Sequence, residues 1–115
     1  MPSVFVVGAD WNLRGGVRAE LRERGVEALG MERLDDAMRA IAAGQIPAAI
    51  VVDAECLAAG VAGLDALARR VPFLVVATRS METPALPRGA VVLHRPVSVG
   101  EVVNRVIELL QGQAA

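Results

Sequence analysis

Short apolar runs rich in β-branched residues constrain the fold more than any other feature of the chain. Four of them, at Val4–Val7, Ala48–Val52, Phe73–Ala77 and Ala90–Leu93, are continuous rather than alternating. Continuous runs of this length are typical of strands that helices cover on both faces of a parallel sheet. A weaker fifth strand is predicted at Val26–Met31, on an edge of the sheet.

Amphipathic segments between these runs predict four helices, each marked by an apolar face or a terminal signal. The first two extend from about Leu13 to a stop at Gly25 and from about Leu34 to a stop at Gly44. The third covers about residues 61–70, and the last, a valine-rich helix, begins at a capping box at Ser98–Glu101.

The segment between the fourth and fifth strands lacks room for an ordinary helix. Residues 79–89 contain Pro84 and Pro87, and proline removes a backbone donor and disrupts helical geometry. At most one helical turn is expected there. The remaining alternation predicts one α/β domain over residues 1–115, a doubly wound parallel sheet with strand order 2-1-3-4-5.

Composition excludes several classes of partner. The 115 residues are 54% hydrophobic with a formal net charge of -1, which predicts a globular chain without electrostatic attraction for nucleic acid or an anionic membrane. No apolar run approaches the roughly 20 residues of a membrane span. The N-terminus lacks a basic, apolar leader, so a cytoplasmic location is expected. A single cysteine excludes an internal disulfide.

Polar residues cluster where the predicted strands end, and in such sheets the functional site lies beyond the carboxyl ends of the strands. The candidates are Gly8, Ala9 and Asp10 after the first strand, Asp53 after the third, Ala77 and Thr78 after the fourth, and His94, Arg95 and Pro96 after the fifth.

Gly8 raises the alternative of a phosphate-binding loop. A P-loop requires Gly-x4-Gly-Lys-Ser/Thr and a dinucleotide fingerprint requires Gly-x-Gly-x-x-Gly. The next glycines are Gly15 and Gly16, with no Lys-Ser/Thr after them, so both motifs are absent. These two glycines are expected to let the first helix pack closely, at some cost in helix propensity.

Three segments resemble the CheY-like receiver domains of bacterial two-component signalling. "IVVDAE" is similar to the third-strand motif that ends in the phospho-accepting aspartate, which falls on Asp53. "VVLHRPV" is similar to the fifth-strand motif in which a lysine precedes a cis-proline, here Arg95 and Pro96. "VFVVGADWNLRGGVRAELRERGV" aligns without gaps to the first strand and helix. The resemblance implies a flavodoxin-like fold.

The departures from this family concern the chemistry. Gly8 and Ala9 stand where receivers carry the adjacent acids that hold Mg²⁺, and Asp10 comes one residue later. Mg²⁺ prefers octahedral oxygen ligands, so Asp10 and Asp53 offer a weak metal site and no cofactor is expected. The switch hydroxyl of the family aligns with Ala77, with Thr78 one place further. The chain therefore resembles an atypical or pseudo-receiver.

Each charged candidate also has a plainer structural interpretation. Asp10 is well placed to cap the first helix. Asp53 at a strand end can accept hydrogen bonds from loop amides. All 12 basic residues of the chain are arginine, so Arg95 in place of lysine is compatible with codon bias. A guanidinium nevertheless forms a planar, permanently charged fork, and we predict a standing Asp53–Arg95 ion pair.

Three further residues have more than one interpretation. His94 is expected to be packed or solvated, because no cluster of metal ligands accompanies it. Cys56 is expected to be a small loop hydrophobe, since no base is evident nearby. Trp11, the single tryptophan, is expected either to cover the acidic pocket or to pack beside the first helix.

The resemblance implies a non-enzymatic signalling module that acts through protein–protein contacts. Expected partners are a histidine kinase or an output protein in trans, and the valine-rich last helix offers a surface for a homodimer. Two alternatives stay open: a response regulator phosphorylated at Asp53, and a domain that binds a nucleotide or another small ligand at the same strand ends.

Overall fold

The structure is a computed structural model, and it describes residues 3–57, 63–77 and 89–113. Strands and helices alternate along the described chain. They are β1 (Ser3–Val7), α1 (Trp11–Glu23), β2 (Glu27–Met31), α2 (Leu34–Ala42), β3 (Ala49–Asp53), a 3₁₀ turn (Ala54–Leu57), α3 (Leu64–Ala68), β4 (Phe73–Ala77), β5 (Val91–His94) and α4 (Val99–Gln113).

The five strands form one parallel sheet in the order β2-β1-β3-β4-β5, as the sequence predicts. The weak second strand lies at an edge, also as predicted. In the centre, Val6 is in register with Gly30 on one side and with Val51 on the other. The chain reverses its winding between β1 and β3, so the carboxyl ends of these two strands open a crevice there.

Alternate residues of the strands build two separate apolar layers. Val4 and Val6 face the side of the sheet that α1 and α4 cover, whereas Phe5 and Val7 face the side of α2 and α3. All five residues of β3 and of β4 are buried. This two-sided burial is the physical reason for the continuous apolar runs in the sequence.

Helices α1 and α4 pack against each other at a glycine. A Cβ atom on Gly16 would lie 2.9 Å from Cγ2 of Val99, closer than real Cβ contacts. Gly15 faces elsewhere, because its nearest such neighbour is the Trp11 ring at 3.8 Å. The predicted close packing of the helix therefore belongs to Gly16 alone.

The last helix begins as predicted, with the Glu101 amide donating to Ser98 Oγ at 3.1 Å. Three of its valines belong to the core, and the homodimer predicted for this helix stays a prediction. Val102, Val103 and Val106 are fully buried against the sheet and α1. These valines are therefore unavailable as a homodimer surface, because the core already covers them.

Several boundaries differ from the sequence prediction. The third helix, predicted over 61–70, spans Leu64–Ala68 and ends two residues earlier. Residues 61 and 62 lie outside the described residues, as does most of the segment 79–89 with Pro84 and Pro87, so the reduced helix predicted there stays a prediction. The assignment of residues 1–115 to one domain also stays a prediction.

Across the described ranges, none of the helices combines the length and the apolar character that a bilayer-crossing helix needs.

Candidate functional site

Three charged residues distant in sequence meet at the carboxyl edge of the sheet. Asp10 follows β1 and immediately precedes α1, Asp53 ends β3, and Arg95 follows β5. The backbone N–H of Arg95 donates to the carbonyl of Ala77 at 2.7 Å, which ties the end of β5 to the end of β4. Parallel strands thus place all three side chains at one edge, as the sequence predicts.

The Arg95 guanidinium bridges both carboxylates. Its Nη2 lies 3.1 Å from Asp53 Oδ2, and its Nη1 lies 3.2 Å from Asp10 Oδ2. The predicted Asp53–Arg95 pair is therefore present. The prediction was incomplete, because the two arms of the fork are divided between two acids.

Burial differs among the three side chains. The Asp53 side chain is 10% exposed and that of Arg95 is 32% exposed. An unpaired carboxylate as buried as Asp53 would lose much of its hydration, so a charged partner lowers the cost of burying it. Arg95 supplies that partner while part of its own side chain remains exposed.

Asp10 performs two tasks with its two oxygens. Oδ1 accepts from the backbone N–H groups of Asn12 at 3.0 Å and Leu13 at 3.4 Å, which makes Asp10 the N-cap of α1, as its plainer interpretation predicts. Oδ2 accepts from Arg95. The hydrogen bond from the Leu13 amide and then the one from Arg95 lower the pKa of the Asp10 carboxyl below its ordinary value of 3.8.

Asp53 is also engaged at both oxygens. Oδ1 accepts from the backbone N–H of Glu55 at 3.2 Å, while Oδ2 accepts from Arg95. The hydrogen bond to a loop amide is the plainer role predicted for this residue, and it exists together with the ion pair.

A second arginine belongs to the site, and the sequence analysis missed it. Arg14, in the first turn of α1, donates from Nη1 to the carbonyl oxygen of Gly8. Its side chain is 11% exposed, and its nearest acid, Glu32, lies at 4.0 Å on the surface. The available signal was spacing, because a residue four positions after the cap Asp10 returns to the strand end one helical turn later.

The space enclosed by these residues is small. Gly8, Asp10, Arg14 and Asp53 line a cavity of about 10 Å³ together with apolar strand residues. This volume is near the minimum for one water molecule. The site therefore contains two carboxylates, two guanidinium groups and little free volume.

The donor set does not match what Mg²⁺ requires. The ion prefers six oxygens in near-octahedral geometry. Gly8 and Ala9 contribute no side-chain oxygen, and the Asp10 and Asp53 carboxylates, the predicted weak metal ligands, both bind Arg95 instead. Within residues 3–57, 63–77 and 89–113, no cluster of three acidic, histidine or cysteine side chains could hold a metal ion.

Among the described residues, the remaining strand-end candidates contribute no side chain to this ion pair network. Ala77 is buried and has no hydroxyl, and Thr78 lies outside the described residues. His94 ends β5 with an exposed side chain. The Arg95–Pro96 peptide bond is cis, as the resemblance implies.

Cys56 and Trp11 flank the site with different surroundings. Cys56 is partly buried against the core on the α2 side, as expected for a small hydrophobe. Burial, then the charges of Asp53 and Glu55, raise the pKa of its thiol. Trp11 is 69% exposed and does not line the cavity beside the acids. Its ring lies against the first helix, 3.8 Å from the place of a Cβ on Gly15 and 5.3 Å from the Arg14 guanidinium, as its second interpretation predicts.

Solved structures similar to this chain include several receiver domains. The receiver domain of response regulator 1452 from Francisella has a TM-score of 0.74 and 17% identity over 98% of this chain and 99% of its own. A receiver protein from Burkholderia phymatum has 0.74 and 23%, with 96% of each chain covered. The signal receiver domain of a LuxO-type repressor from Vibrio parahaemolyticus has 0.76 and 17%, with 96% and 91% covered.

Neither a protein-family model nor a curated protein sequence matches the chain. The likeness therefore lies in the three-dimensional arrangement, at identities where only the fold is comparable. Together with the strand order and the crevice between β1 and β3, it leads to one conclusion. The chain has the CheY-like, flavodoxin-type fold of response regulator receiver domains.

Proposed function

We propose that this chain is a receiver-like signal transduction module, a pseudo-receiver that contacts partner proteins without phosphorylation of Asp53. Its partners in a bacterial cytoplasm would be signalling proteins, such as a histidine kinase or an output protein acting in trans. No enzymatic activity and no cofactor are part of this proposal.

The observation that carries the proposal is the Arg95 bridge between Asp10 and Asp53. Transfer of a phosphoryl group to a carboxylate brings negative charge towards negative charge, so the reaction depends on cations that stabilise the transition state. Here the two carboxylates already bind a guanidinium. Arg14 adds a second cation, so the four side chains have no net charge to attract a metal ion.

Two further features support a site that does not switch by the usual route. The position aligned with the family's switch hydroxyl is Ala77, which is buried and has no oxygen to move towards a phosphate. The cavity that Asp10 and Asp53 help to line has about 10 Å³, too little for a phosphoryl group or a hydrated ion.

The test is a titration with Mg²⁺ and beryllofluoride, followed by Trp11 fluorescence and by the melting temperature. We expect no change in either signal at Mg²⁺ concentrations that saturate an ordinary receiver domain, run in parallel. A saturable response in the wild type that is lost in Asp53→Ala would contradict the proposal and favour the alternative, a regulator phosphorylated at Asp53.

A variant with restored acids supplies a matched control for this assay. In Gly8→Asp/Ala9→Asp the two receiver positions carry carboxylates again, and a Cβ on Gly8 would lie at an ordinary 3.4 Å from Cβ of Asp53. We expect Mg²⁺ to raise the melting temperature of this variant and not that of the wild type. Stabilisation of the wild type by a nucleotide panel would instead favour the small-ligand alternative.

A further inference from the structure

The outward face of α1 carries a groove that the strand-end site does not use. Its volume is about 410 Å³, and we call it the α1 groove. It is lined by Trp11, Asn12, Gly15, Gly16, Arg18, Ala19 and Arg22.

Trp11 is the most exposed large hydrophobic side chain of the described residues, at 69%, and Ile46 is the next at 46%. The indole is held in place: the Arg14 guanidinium lies 5.3 Å from the ring centroid, and Gly15 lies beneath the ring. A fixed aromatic side chain loses little conformational entropy on binding, which is why tryptophan is frequent at the energetic centres of protein interfaces.

The charge of the groove is unbalanced. Arg18 and Arg22 line it, and no acidic residue does. In the part of the chain that the structure describes, neither arginine forms an ion pair, whereas Arg39 and Arg105 each have an acid within 2.9 Å. The Arg18 Nε donates to the Ala28 carbonyl at 3.3 Å, which orients the guanidinium and leaves its terminal nitrogens available.

The shape of the groove favours a polypeptide over a small molecule. Gly15 and Ala19, one helical turn apart, form a floor without bulky side chains, so another backbone can approach α1 closely. All of the lining residues come from one helix. Such a groove is open to solvent on its outer side, whereas small-ligand sites enclose most of their ligand.

We infer that the α1 groove binds an acidic segment of a partner protein, with carboxylates against Arg18 and Arg22 and an apolar side chain against Trp11. The inference rests on the proposed function, since it names the surface and the partner chemistry of a module that acts through protein contacts. Charge complementarity selects the segment, and the indole supplies apolar contact area.

The test uses two synthetic peptides of equal length and equal apolar content, both without tryptophan. One carries glutamates on the face flanking its apolar residues, and the other carries lysines at the same positions. Binding to the full chain is measured through fluorescence of Trp11, the single tryptophan. We expect the acidic peptide to bind at least about tenfold more tightly than the basic peptide at low salt.

Charge reversal provides the decisive comparison. In Arg18→Glu/Arg22→Glu the preference should invert towards the basic peptide. Arg69→Glu/Arg70→Glu changes the net charge equally at exposed positions after α3, on the opposite side of the sheet, and should leave the acidic preference intact. If the loss of the Arg18–Ala28 hydrogen bond unfolds the double variant, Arg22→Glu alone should abolish most of the preference.

Four results would overturn the inference: equal affinity for both peptides, inversion by the Arg69/Arg70 control, ATP binding that depends on Arg22, or self-association that buries Trp11. The last two would identify a small ligand or a second copy as the occupant. The beryllofluoride titration is read separately on the same samples. A response there with the acidic preference intact refutes the phosphate-independent function and leaves the groove, whereas the reverse pattern refutes only the groove.

Discussion

Asp10 and Trp11 are neighbours in the chain but belong to two regions with opposite electrostatics. Asp10 turns towards the sheet, where it binds Arg95 and caps α1. Trp11 turns outward, where it begins a groove whose arginines have no acidic partner among the described residues. The charges of the strand-end site form ion pairs within the chain. Arg18 and Arg22 of the α1 groove form none among the described residues, so they are available to a partner.

This difference indicates where each region can respond to its surroundings. A carboxylate that already binds a guanidinium gains little from an added cation, because the arriving ion must displace the existing partner. An unpaired surface arginine has no such cost. External ligands should therefore act on the outward side of α1, and changes to the strand-end site should appear chiefly as changes in stability.

The largest expected effect is a difference in stability between two variants, each of which lacks one arginine from one of the two regions. Arg95→Ala removes the partner of the buried Asp53 and of Asp10, and should lower the free energy of unfolding by about 2 kcal/mol, less than for a fully buried pair because Arg95 is partly exposed. Arg22→Ala removes an exposed, unpaired charge and should change it by less than about 0.5 kcal/mol. Urea denaturation of both variants measures the contrast.

Equal losses of unfolding free energy in Arg95→Ala and Arg22→Ala would show that the charges of the strand-end site stabilise the fold no more than those of the α1 groove. Arg105→Ala, which breaks only the exposed pair with Glu108, is the control for loss of a surface ion pair and should cost about as little as Arg22→Ala.

Adjacent glycines sharpen the comparison between the two sides of α1. Gly16→Ala places a Cβ 2.9 Å from the stiff Val99 side chain and should destabilise the protein by about 1–2 kcal/mol, the crowding exceeding the gain in helix propensity. Gly15→Ala faces the groove, with its nearest neighbour at 3.8 Å, and should stabilise the protein by about 0.5–1 kcal/mol. Thermal and urea unfolding of the two single variants give both signs.

Destabilisation by both substitutions would mean that Gly15 is also packed against another part of the chain, and that the α1 groove is not an open surface. A stabilising Gly16→Ala would mean that α1 and α4 lie further apart than in the structure.

The smallest expected effect is a pH dependence of stability due to Asp10, the residue of the strand-end site that adjoins Trp11 of the α1 groove. The pKa of the Asp10 carboxyl is lowered by the Leu13 amide and then by Arg95, so its charge stabilises the folded chain above pH 3.8. This contribution is lost as the pH falls through the lowered folded value. Asp10→Asn keeps a capping side chain but lacks the charge.

Stability should therefore differ between wild type and Asp10→Asn at pH 7, and the difference should shrink below pH 3.8. Urea midpoints at a series of pH values provide the measurement. A constant difference down to the lowest pH would show that the interaction of Asp10 with Arg95 is not electrostatic in origin.

Much of the strand-end site was predictable from the order of residues. The continuous runs at β1, β3, β4 and β5 predict a parallel sheet, and a parallel sheet places Asp10, Asp53 and Arg95 at one edge whatever the helices do. The Asp53–Arg95 pair follows because a long guanidinium after β5 can reach past the end of β4 to the carboxylate at the end of β3. The third helix was predicted too long because local propensity does not define where tertiary contacts end a helix.

What the sequence alone determined is the pattern of burial, since the length and continuity of the apolar runs indicate a parallel sheet with one functional edge. The order 2-1-3-4-5 is the favoured one of the few that right-handed crossovers allow. Only the tertiary structure decided that Arg95 divides its fork between two acids, that Arg14 joins them, and that Trp11 faces solvent. The physical reason is that hydrophobic periodicity depends only on residues close together in sequence. The partner of a charge depends instead on which side chains, often distant in sequence, folding brings within about 3 Å of it.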